Sequence, residues 1–330
     1  MRTTIFFFAV AASVVVLSAC EKKKSVPAIT EESPKSVASI TESCSGLAPA
    51  GDLVADRIPS ADKVNAQPGL YEGPVWIKGE LYFSDFTFGT GFPSQIQRLD
   101  AHGEVVTAIK DSGSNGLAVD GDGNLVAATH KFKGISSYKI ATGERSSVAE
   151  TFNGNPFNSP NDLTLAADGT IYFTDPSFQK DAAPGGQEKT RVYRRSTDGS
   201  ITVVDDTMSQ PNGISLSPKG DVLYVAGGGE NGVLRAYPVV NGVPQAGKDL
   251  VTGVVVPDGM AVDCYGNIYV TEHTAQRLRV FNPAGEKIAT IKVDANVTNA
   301  AFGGNRGKTL YITGAGSLWR LELDVTGSAY

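Results

Sequence analysis

Residues 161–176 read NDLTLAADGTIYFTDP, in which apolar and polar residues alternate on both sides of the turn AADG. Alternation with a period of two is typical of a β-strand with one buried face, and a turn containing glycine joins two such strands into a hairpin. Asn161 and Asp162 stand directly before the first strand. Turn geometry alone can account for them, because Asn and Asp favour turns. Whether they do more depends on whether the stretch recurs.

The pattern occurs six times along the chain. Each copy has a polar residue, an alternating apolar strand, a turn with glycine and a second strand. The copies begin at Glu72, Asn115, Asn161, Asn212, Asp258 and Thr298, at spacings of 43, 46, 51, 46 and 40 residues, although the last register could also fall on Asn299. Each interval leaves room for a second hairpin, and four strands in about 45 residues is the period of a propeller blade. The sequence predicts an all-β fold, a six-bladed β-propeller with four antiparallel strands per blade.

The N-terminal region differs from the repeats. Residues 1–20 contain Arg2, an apolar run over residues 5–17 and the ending LSAC, which predicts a lipoprotein signal peptide with lipidation at Cys20. Residues 21–52 are polar and rich in serine, and are expected to form a flexible tether. The propeller then occupies residues 53–330, with residues 53–66 supplying an outer strand that closes the ring.

The composition limits which partners and which catalytic mechanisms are expected. The net charge of −6 is spread along the chain without a basic patch, so nucleic acid is not an expected partner. The three histidines and the lack of a G-x-S-x-G motif argue against a serine-nucleophile triad. Cys44 and Cys264 are expected to be unpaired, although an oxidising compartment would allow them to pair. Glu21 after Cys20 resembles lipoproteins that are delivered to the periplasmic face of the bacterial outer membrane, and a tethered monomer is expected.

The six residues that begin the copies carry the chemistry. First strands of propeller blades line the central channel in one orientation, so these residues should meet at one mouth of the channel. The ends of the second strands should return there, bringing Asp85, His130, Asp175, Glu272 and His273. Convergent carboxylate and amide oxygens favour one divalent cation, Ca²⁺ in the first place. Mg²⁺, Mn²⁺ and Zn²⁺ are alternatives, with zinc disfavoured because no cysteine or histidine pair joins the ring.

Five motifs in order carry a resemblance to a known family. They are YEGPVW from residue 71, SPNDLTLAADGTIYFTDP from 159, PNGISLSPKGDVLYVA from 211, PDGMAVDCYGNIYVTE from 257 and TNAAFGGNRGKTLYIT from 298. Together they resemble the senescence-marker-protein/gluconolactonase/luciferin-regenerating-enzyme-like family over residues 71–323, here as a bacterial lipoprotein member. The resemblance implies Glu72, Asn212 and Asp258 as metal ligands, Asn161 as a fourth ligand or a substrate contact, and Asp258 as base or nucleophile.

The candidate substrate contacts are Asn161 and its neighbour Asp162, and the polar residues Asn115, His130 and His273 near the mouth. One departure bears on the substrate: animal lactonases of the family have an arginine where this chain has Ser159. Residues 176–194 are expected to form a loop over the mouth that sets substrate choice.

These observations lead to one expected activity and two alternatives. The expected activity is a calcium-dependent hydrolase that opens a small-molecule lactone or ester, in which the cation polarises the carbonyl and Asp258 activates water or attacks directly. A phosphotriesterase with the same metal site is one alternative. A lipid-anchored binding propeller with structural calcium is the other, because propellers host many functions.

Overall fold

The repeated hairpins form six antiparallel sheets, each pairing a strand with the next along the chain. The computed structural model describes Met1 and residues 44–62 and 67–328, so the expected signal peptide, Cys20 and most of the expected tether lie outside the described residues. Two short strands, β1 (Gly51–Val54) and β2 (Asp56–Arg57), precede the blades. Three 3-10 helices occupy Pro59–Ala61, Lys180–Ala182 and Gly229–Asn231. Within the described ranges no helix is long and apolar enough to cross a membrane.

The blades follow in chain order. Blade 1 contains β3 (Gly69–Ile77), β4 (Glu80–Thr87), β5 (Ser94–Leu99) and β6 (Val105–Ile109). Blade 2 contains β7 (Ser114–Val119), β8 (Leu125–Thr129), β9 (Gly134–Tyr138) and β10 (Arg145–Ala149), and is followed by the hairpin β11 (Thr151–Phe152) and β12 (Asn155–Pro156). Blade 3 contains β13 (Leu163–Leu165), β14 (Ile171–Asp175), β15 (Arg191–Arg195) and β16 (Ile201–Asp205).

The second half of the chain continues the pattern. Blade 4 contains β17 (Pro211–Leu216), β18 (Val222–Gly227), β19 (Gly232–Val240) and β21 (Lys248–Val254), with β20 (Val243–Pro244) also paired to β19. Blade 5 contains β22 (Pro257–Val262), β23 (Ile268–Glu272), β24 (Arg277–Phe281) and β25 (Lys287–Lys292). Blade 6 contains β26 (Val297–Gly303), β27 (Thr309–Gly314) and β28 (Leu318–Glu322). The predicted six-bladed propeller is confirmed.

The N-terminal strands join the last two blades to the start of the chain. β2 pairs antiparallel with β28 and supplies the fourth strand of blade 6. β1 pairs parallel with β25, which gives blade 5 a fifth strand that the sequence pattern did not predict. Because β2 precedes blade 1 and completes the sheet of blade 6, it closes the ring.

The core lies between the blades. In the described part of the chain, six hydrophobic clusters occur, one at each interface between neighbouring sheets. At the interface of blades 6 and 1, Trp76 stacks on Tyr311 with ring centroids 5.3 Å apart. Apolar alternation therefore stabilises the faces of the sheets, whereas the inner edges that line the channel are left for polar residues.

A bulge in the first strands aims side chains into the channel. In blades 2, 4, 5 and 6 the register with the second strand skips two residues, as between Pro257 and Met260 or between Val297 and Ala300. Such bulges break the alternation and redirect side chains. The skipped residues are the start of each copy and the residue after it. In blade 6 the skipped residues are Thr298 and Asn299, so the sixth copy of the pattern begins at Thr298 and not at Asn299.

A disulfide fastens the segment before β1 to the propeller. Cys44 and Cys264 are bonded, with their Cα atoms 5.3 Å apart, and the expectation that they are unpaired is wrong. The segment lies along the protein because Leu47 N donates to Asp324 Oδ2 at 2.9 Å and the Tyr265 hydroxyl donates to Gly46 O at 2.9 Å. These bonds hold Cys44 at the turn between β22 and β23, which is the channel end opposite the starts of the first strands.

Candidate active site at the channel mouth

Six residues at or near the beginnings of the first strands converge at one end of the channel. These ring residues are 0 to 8% exposed and comprise Glu72, Asn115, Asn161, Asn212, Asp258 and Thr298. Each is held by the sheet of its own blade, so the fold places their side chains without help from mobile loops.

Two ring carboxyls are buried close together. Burial raises the pKa of Glu72 well above its usual range, and the charges of Asp258 and Asp162 raise it further against a hydrogen bond from Gly73 N. Burial also raises the pKa of Asp258, which the hydrogen bond from His273 opposes. Burying neighbouring carboxylates is costly unless positive charge compensates them. The site therefore favours a cation.

Two ring amides have buried oxygens without partners. Within residues 44–62 and 67–328, Asn115 Oδ1 and Asn212 Oδ1 accept no hydrogen bond. The Asn212 amide lies beside Asp258 and favours its charged form. An unsatisfied buried acceptor costs about 1–3 kcal/mol, so these two amide oxygens fit an electropositive ligand in the ring.

The donor set fits a hard cation. Among the described residues, no three His, Cys, Asp or Glu side chains form a metal-binding cluster on their own. Any cation here must combine the carboxylates of Glu72 and Asp258 with amide oxygens, which is the ligand chemistry of Ca²⁺ rather than of Zn²⁺. The residues present therefore fit the divalent cation that the sequence pattern predicts.

The remaining ring residues differ in what they offer. Thr298 Oγ1 donates to Tyr71 O at 2.5 Å, so this hydroxyl joins blade 6 to blade 1. Asn161 donates its N–H to Thr174 O at 3.0 Å and accepts from Gly116 N at 2.7 Å, so its backbone joins blade 3 to blade 2. These bonds fix the Asn161 backbone at the ring.

Asp162 is bonded within the protein. Its Oδ1 accepts from Leu163 N at 2.9 Å, and its Oδ2 accepts from Asn299 Nδ2 at 3.3 Å and from Ile214 N at 3.4 Å. Burial raises the pKa of Asp162 to about 7. Asn299 was missed as a site residue, although the sequence offers a signal: four of the ring residues are followed by glycine and Thr298 is followed by this amide.

His273 lies beside the ring carboxylate Asp258. Its Nδ1 is 3.5 Å from Asp258 Oδ2 and 2.6 Å from Val297 O. Burial opposes the charged imidazolium, but the hydrogen bond and charge of Asp258 raise the pKa of His273 overall. A proton on Nδ1 can therefore be shared between a carbonyl and the carboxylate.

His130 is neutral and fixed in one tautomer. Its Nε2 lies 2.8 Å from Phe92 O, which can only accept, so the proton is on Nε2. Burial lowers the pKa of His130 to about 4. Its Nδ1 is buried and has no partner in the described part of the protein, so an acceptor is available there.

The acids at the ends of the second strands bond to neighbouring strands and loops. Glu272 pairs with Arg277 at 2.5 Å and with Arg279 at 2.7 Å. Asp85 accepts from Gln97 Nε2 at 3.0 Å. Asp175 accepts from the backbone N–H groups of residues 158 and 159 at 2.9 and 2.8 Å. Their carboxylates are used in these contacts rather than in the ring.

Two loops form the rim of the mouth. The loop after β4 carries Phe88, which is 58% exposed, and the loop after β14 carries Phe178, which is 46% exposed. The loops approach each other where Gly91 lies beside the Ala182 carbonyl. Ser159 is buried under the second loop and donates to Pro176 O at 2.8 Å. The position at which animal lactonases have an arginine therefore supports the loop.

Comparisons with known proteins agree with the propeller fold. A gluconolactonase of Zymomonas mobilis is 29% identical over 315 residues, covering 85% of this chain and 86% of its own. The structure of a Xanthomonas campestris gluconolactonase superposes with a TM-score of 0.70 at 27% identity, covering 84% of this chain and 100% of that chain. Regucalcin of Agrobacterium tumefaciens, described as a calcium-binding protein, has a TM-score of 0.70 at 22% identity over 84% of this chain and 97% of its own, which shows the fold alone.

The family match covers most of the propeller. The family described as SMP-30/gluconolactonase/LRE-like region matches residues 70–316, from the strand that carries Glu72 to the turn after β27. The matched range contains all six ring residues, and this chain belongs to that family.

Proposed function

We propose that this protein is a calcium-dependent lactonase that opens a lactone to a hydroxy acid. The observation that carries the proposal is the combination of two buried ring carboxyls with the unpartnered oxygens of Asn115 and Asn212. The gluconolactonases among its relatives support the reaction class, and the mixture of carboxylate and amide oxygens supports calcium as the cation.

The ring residues would hold the cation. Glu72 and Asp258 supply the charge, and Asn212 and Asn161 supply neutral oxygens, with Asn115 Oδ1 available as a further one. When bound, a divalent cation supplies the positive charge that polarises a lactone carbonyl and stabilises the developing oxyanion.

Asp258 is the proposed base. Its carboxylate is buried in the ring, where it can accept a proton from a water that attacks a bound lactone. Water oxygen bonds to the acyl carbon while Asp258 takes the water's proton, the bond between the acyl carbon and the ring oxygen breaks, and Asp258 returns the proton to that oxygen. His273 Nδ1, whose own proton lies between Val297 O and Asp258 Oδ2, would orient the Asp258 carboxylate.

The rim suggests a substrate with an apolar group. Phe88 and Phe178 present aromatic surface at the mouth. The serine at position 159 is buried and offers no guanidinium to a polyol. We therefore infer that lactones with an alkyl or aryl substituent bind better than sugar lactones.

A substrate screen tests these proposals. The purified protein is assayed with gluconolactone, an aryl-fused lactone, an aryl ester and a phosphotriester, each with calcium and with a chelator. We expect chelator-sensitive lactone opening, fastest for the aryl-fused lactone, and loss of that turnover in Glu72→Gln. Turnover of the phosphotriester alone would indicate a phosphotriesterase. No chelator-sensitive turnover of any compound would favour a binding propeller.

We also propose that the protein is anchored by lipid at Cys20 in the periplasm. The Cys44–Cys264 disulfide supports an oxidising compartment outside the cytoplasm. Labelling cells with a radioactive fatty acid is expected to mark the wild-type chain and place it in the membrane fraction, whereas Cys20→Ser should be unlabelled and released by lysis. Membrane-bound, labelled Cys20→Ser would contradict the anchor.

A further inference from the structure

The residue after each ring residue forms a second layer in the channel. In four blades this residue is glycine, and in blades 3 and 6 it is Asp162 and Asn299. Blades 3 and 6 are three apart in a ring of six, so their first strands face each other across the channel. The only two side chains of this layer therefore meet at the channel axis. We refer to Asp162 and Asn299 as the axial pair.

The glycines leave room for the axial pair. A Cβ atom on Gly116 would lie 2.5 Å from Asp162 Oδ1, and one on Gly259 would lie 2.0 Å from Asn299 Cγ. A real Cβ atom does not come so close to another heavy atom. Positions 116 and 259 therefore require glycine as long as Asp162 and Asn299 occupy these places. Four glycines and two polar side chains fill one layer of the channel together.

The axial pair is held rigidly. Asn299 Nδ2 donates to Asp162 Oδ2 at 3.3 Å, and Asn299 Oδ1 accepts from Ala300 N at 2.8 Å. Asp162 Oδ1 accepts from Leu163 N at 2.9 Å, and Ile214 N of blade 4 donates to Asp162 Oδ2. These bonds tie three blades together at the axis and fix both side chains in single orientations.

The axial pair also touches the ring. Thr298, the neighbour of Asn299, donates to the carbonyl of Tyr71, the neighbour of Glu72, so Asn299 and Glu72 lie close together. The Asn299 amide favours the charged form of Glu72, and the charge of Asp162 acts on the pKa of Glu72. We propose that Asp162 and Asn299 are positioning residues that orient Glu72 for the cation and close the channel beneath it. The proposal rests on a cation in the ring, as the proposed function does, but not on the identity of the substrate.

Calcium affinity tests the axial pair without reference to turnover. Titration calorimetry of Asn299→Ala is expected to show calcium binding about 10- to 100-fold weaker, the usual cost of losing a group that orients a metal ligand. At saturating calcium, KM for any lactone substrate should be unchanged, because Asn299 does not touch substrate. Asn299→Ser, which replaces the amide with a smaller hydrogen-bonding hydroxyl, should fold if Asn299→Ala does not and should lose less affinity.

Two comparisons separate this role from a general loss of structure. Asn267→Ala removes a buried amide that donates to Asp263 Oδ2 at 2.7 Å at the other end of the channel, and it should lower stability but not calcium affinity. The exchange Asp162→Asn with Asn299→Asp restores a carboxylate–amide pair and should recover part of the affinity lost by Asn299→Ala.

Three results would overturn the proposal. If Asn299→Ala binds calcium with wild-type affinity, the role of the axial pair is refuted and the proposed function is not. An increased KM of Asn299→Ala at saturating calcium would also refute that role, because it would make Asn299 a substrate contact. A wild-type protein that binds no calcium would refute both the axial pair's role and the proposed function. Calcium binding without lactone turnover would refute only the proposed function.

Discussion

Asp258→Asn is expected to reduce kcat for lactone opening by on the order of 10³-fold, the contribution of a positioned general base. The amide keeps the shape of the carboxylate and one coordinating oxygen, so calcium should still bind at millimolar concentrations, although more weakly because a charge is lost. Lactone turnover at saturating calcium, measured together with calcium affinity, separates loss of the base from loss of the cation. Retained turnover would contradict the role assigned to Asp258.

A matched control exists at the other end of the channel, in the same blade as Asp258. Asp263 is also fully buried and accepts hydrogen bonds from Asn267 and Tyr269. Asp263→Asn should lower stability but leave kcat near the wild-type value. A single turnover in ¹⁸O-labelled water then distinguishes the two routes for Asp258, because a base places the label in the first product and a nucleophile places it in the protein.

The cation-free protein is expected to lose stability as the pH rises from about 4 to about 7. Glu72, Asp162 and Asp258 have pKa values raised by burial, so the folded state holds protons that the unfolded state has already released. The free energy of unfolding decreases as the pH rises wherever the folded state binds more protons than the unfolded state. For Asp162, the rise from 3.8 to about 7 corresponds to about 4 kcal/mol.

Calcium is expected to reverse this loss. A ligand at 1,000 times its dissociation constant stabilises the folded state by about 4 kcal/mol. Urea unfolding at pH 5 and pH 8, with chelator and with calcium, measures both effects. Glu72→Gln removes one buried acid, so it should show a shallower pH dependence in chelator and a smaller response to calcium. A chelated wild-type protein that is more stable at pH 8 than at pH 5 would contradict this account.

The blades and the ring could be predicted because they depend on local patterns. Alternation, turn glycines and the spacing of the copies determine where each first strand begins. The symmetry of a propeller then brings residues such as Glu72 and Asp258 to one mouth. Thr298 shows the limit of that reasoning. It lies in the ring, but its hydroxyl donates a hydrogen bond to Tyr71 O and so joins two blades.

What could not be predicted depends on contacts across the ring. The hydrogen bond between Asp162 and Asn299 requires knowing which blades face each other and how far each side chain reaches. The Cys44–Cys264 bond requires the path of a segment whose composition resembles a linker, and that path is set by contacts such as Leu47 with Asp324. Neither of these two bonds leaves a periodic pattern in the sequence.

The disulfide has a consequence for how the molecule is presented. Cys264 lies in the turn at the end of β22, and the ring lies at the start of the same strand. The disulfide therefore holds Cys44 at the end of the propeller opposite the ring. Residues 44–50, which begin at this crosslink, are kept away from the mouth, so the N-terminal part of the described segment leaves the ring residues uncovered.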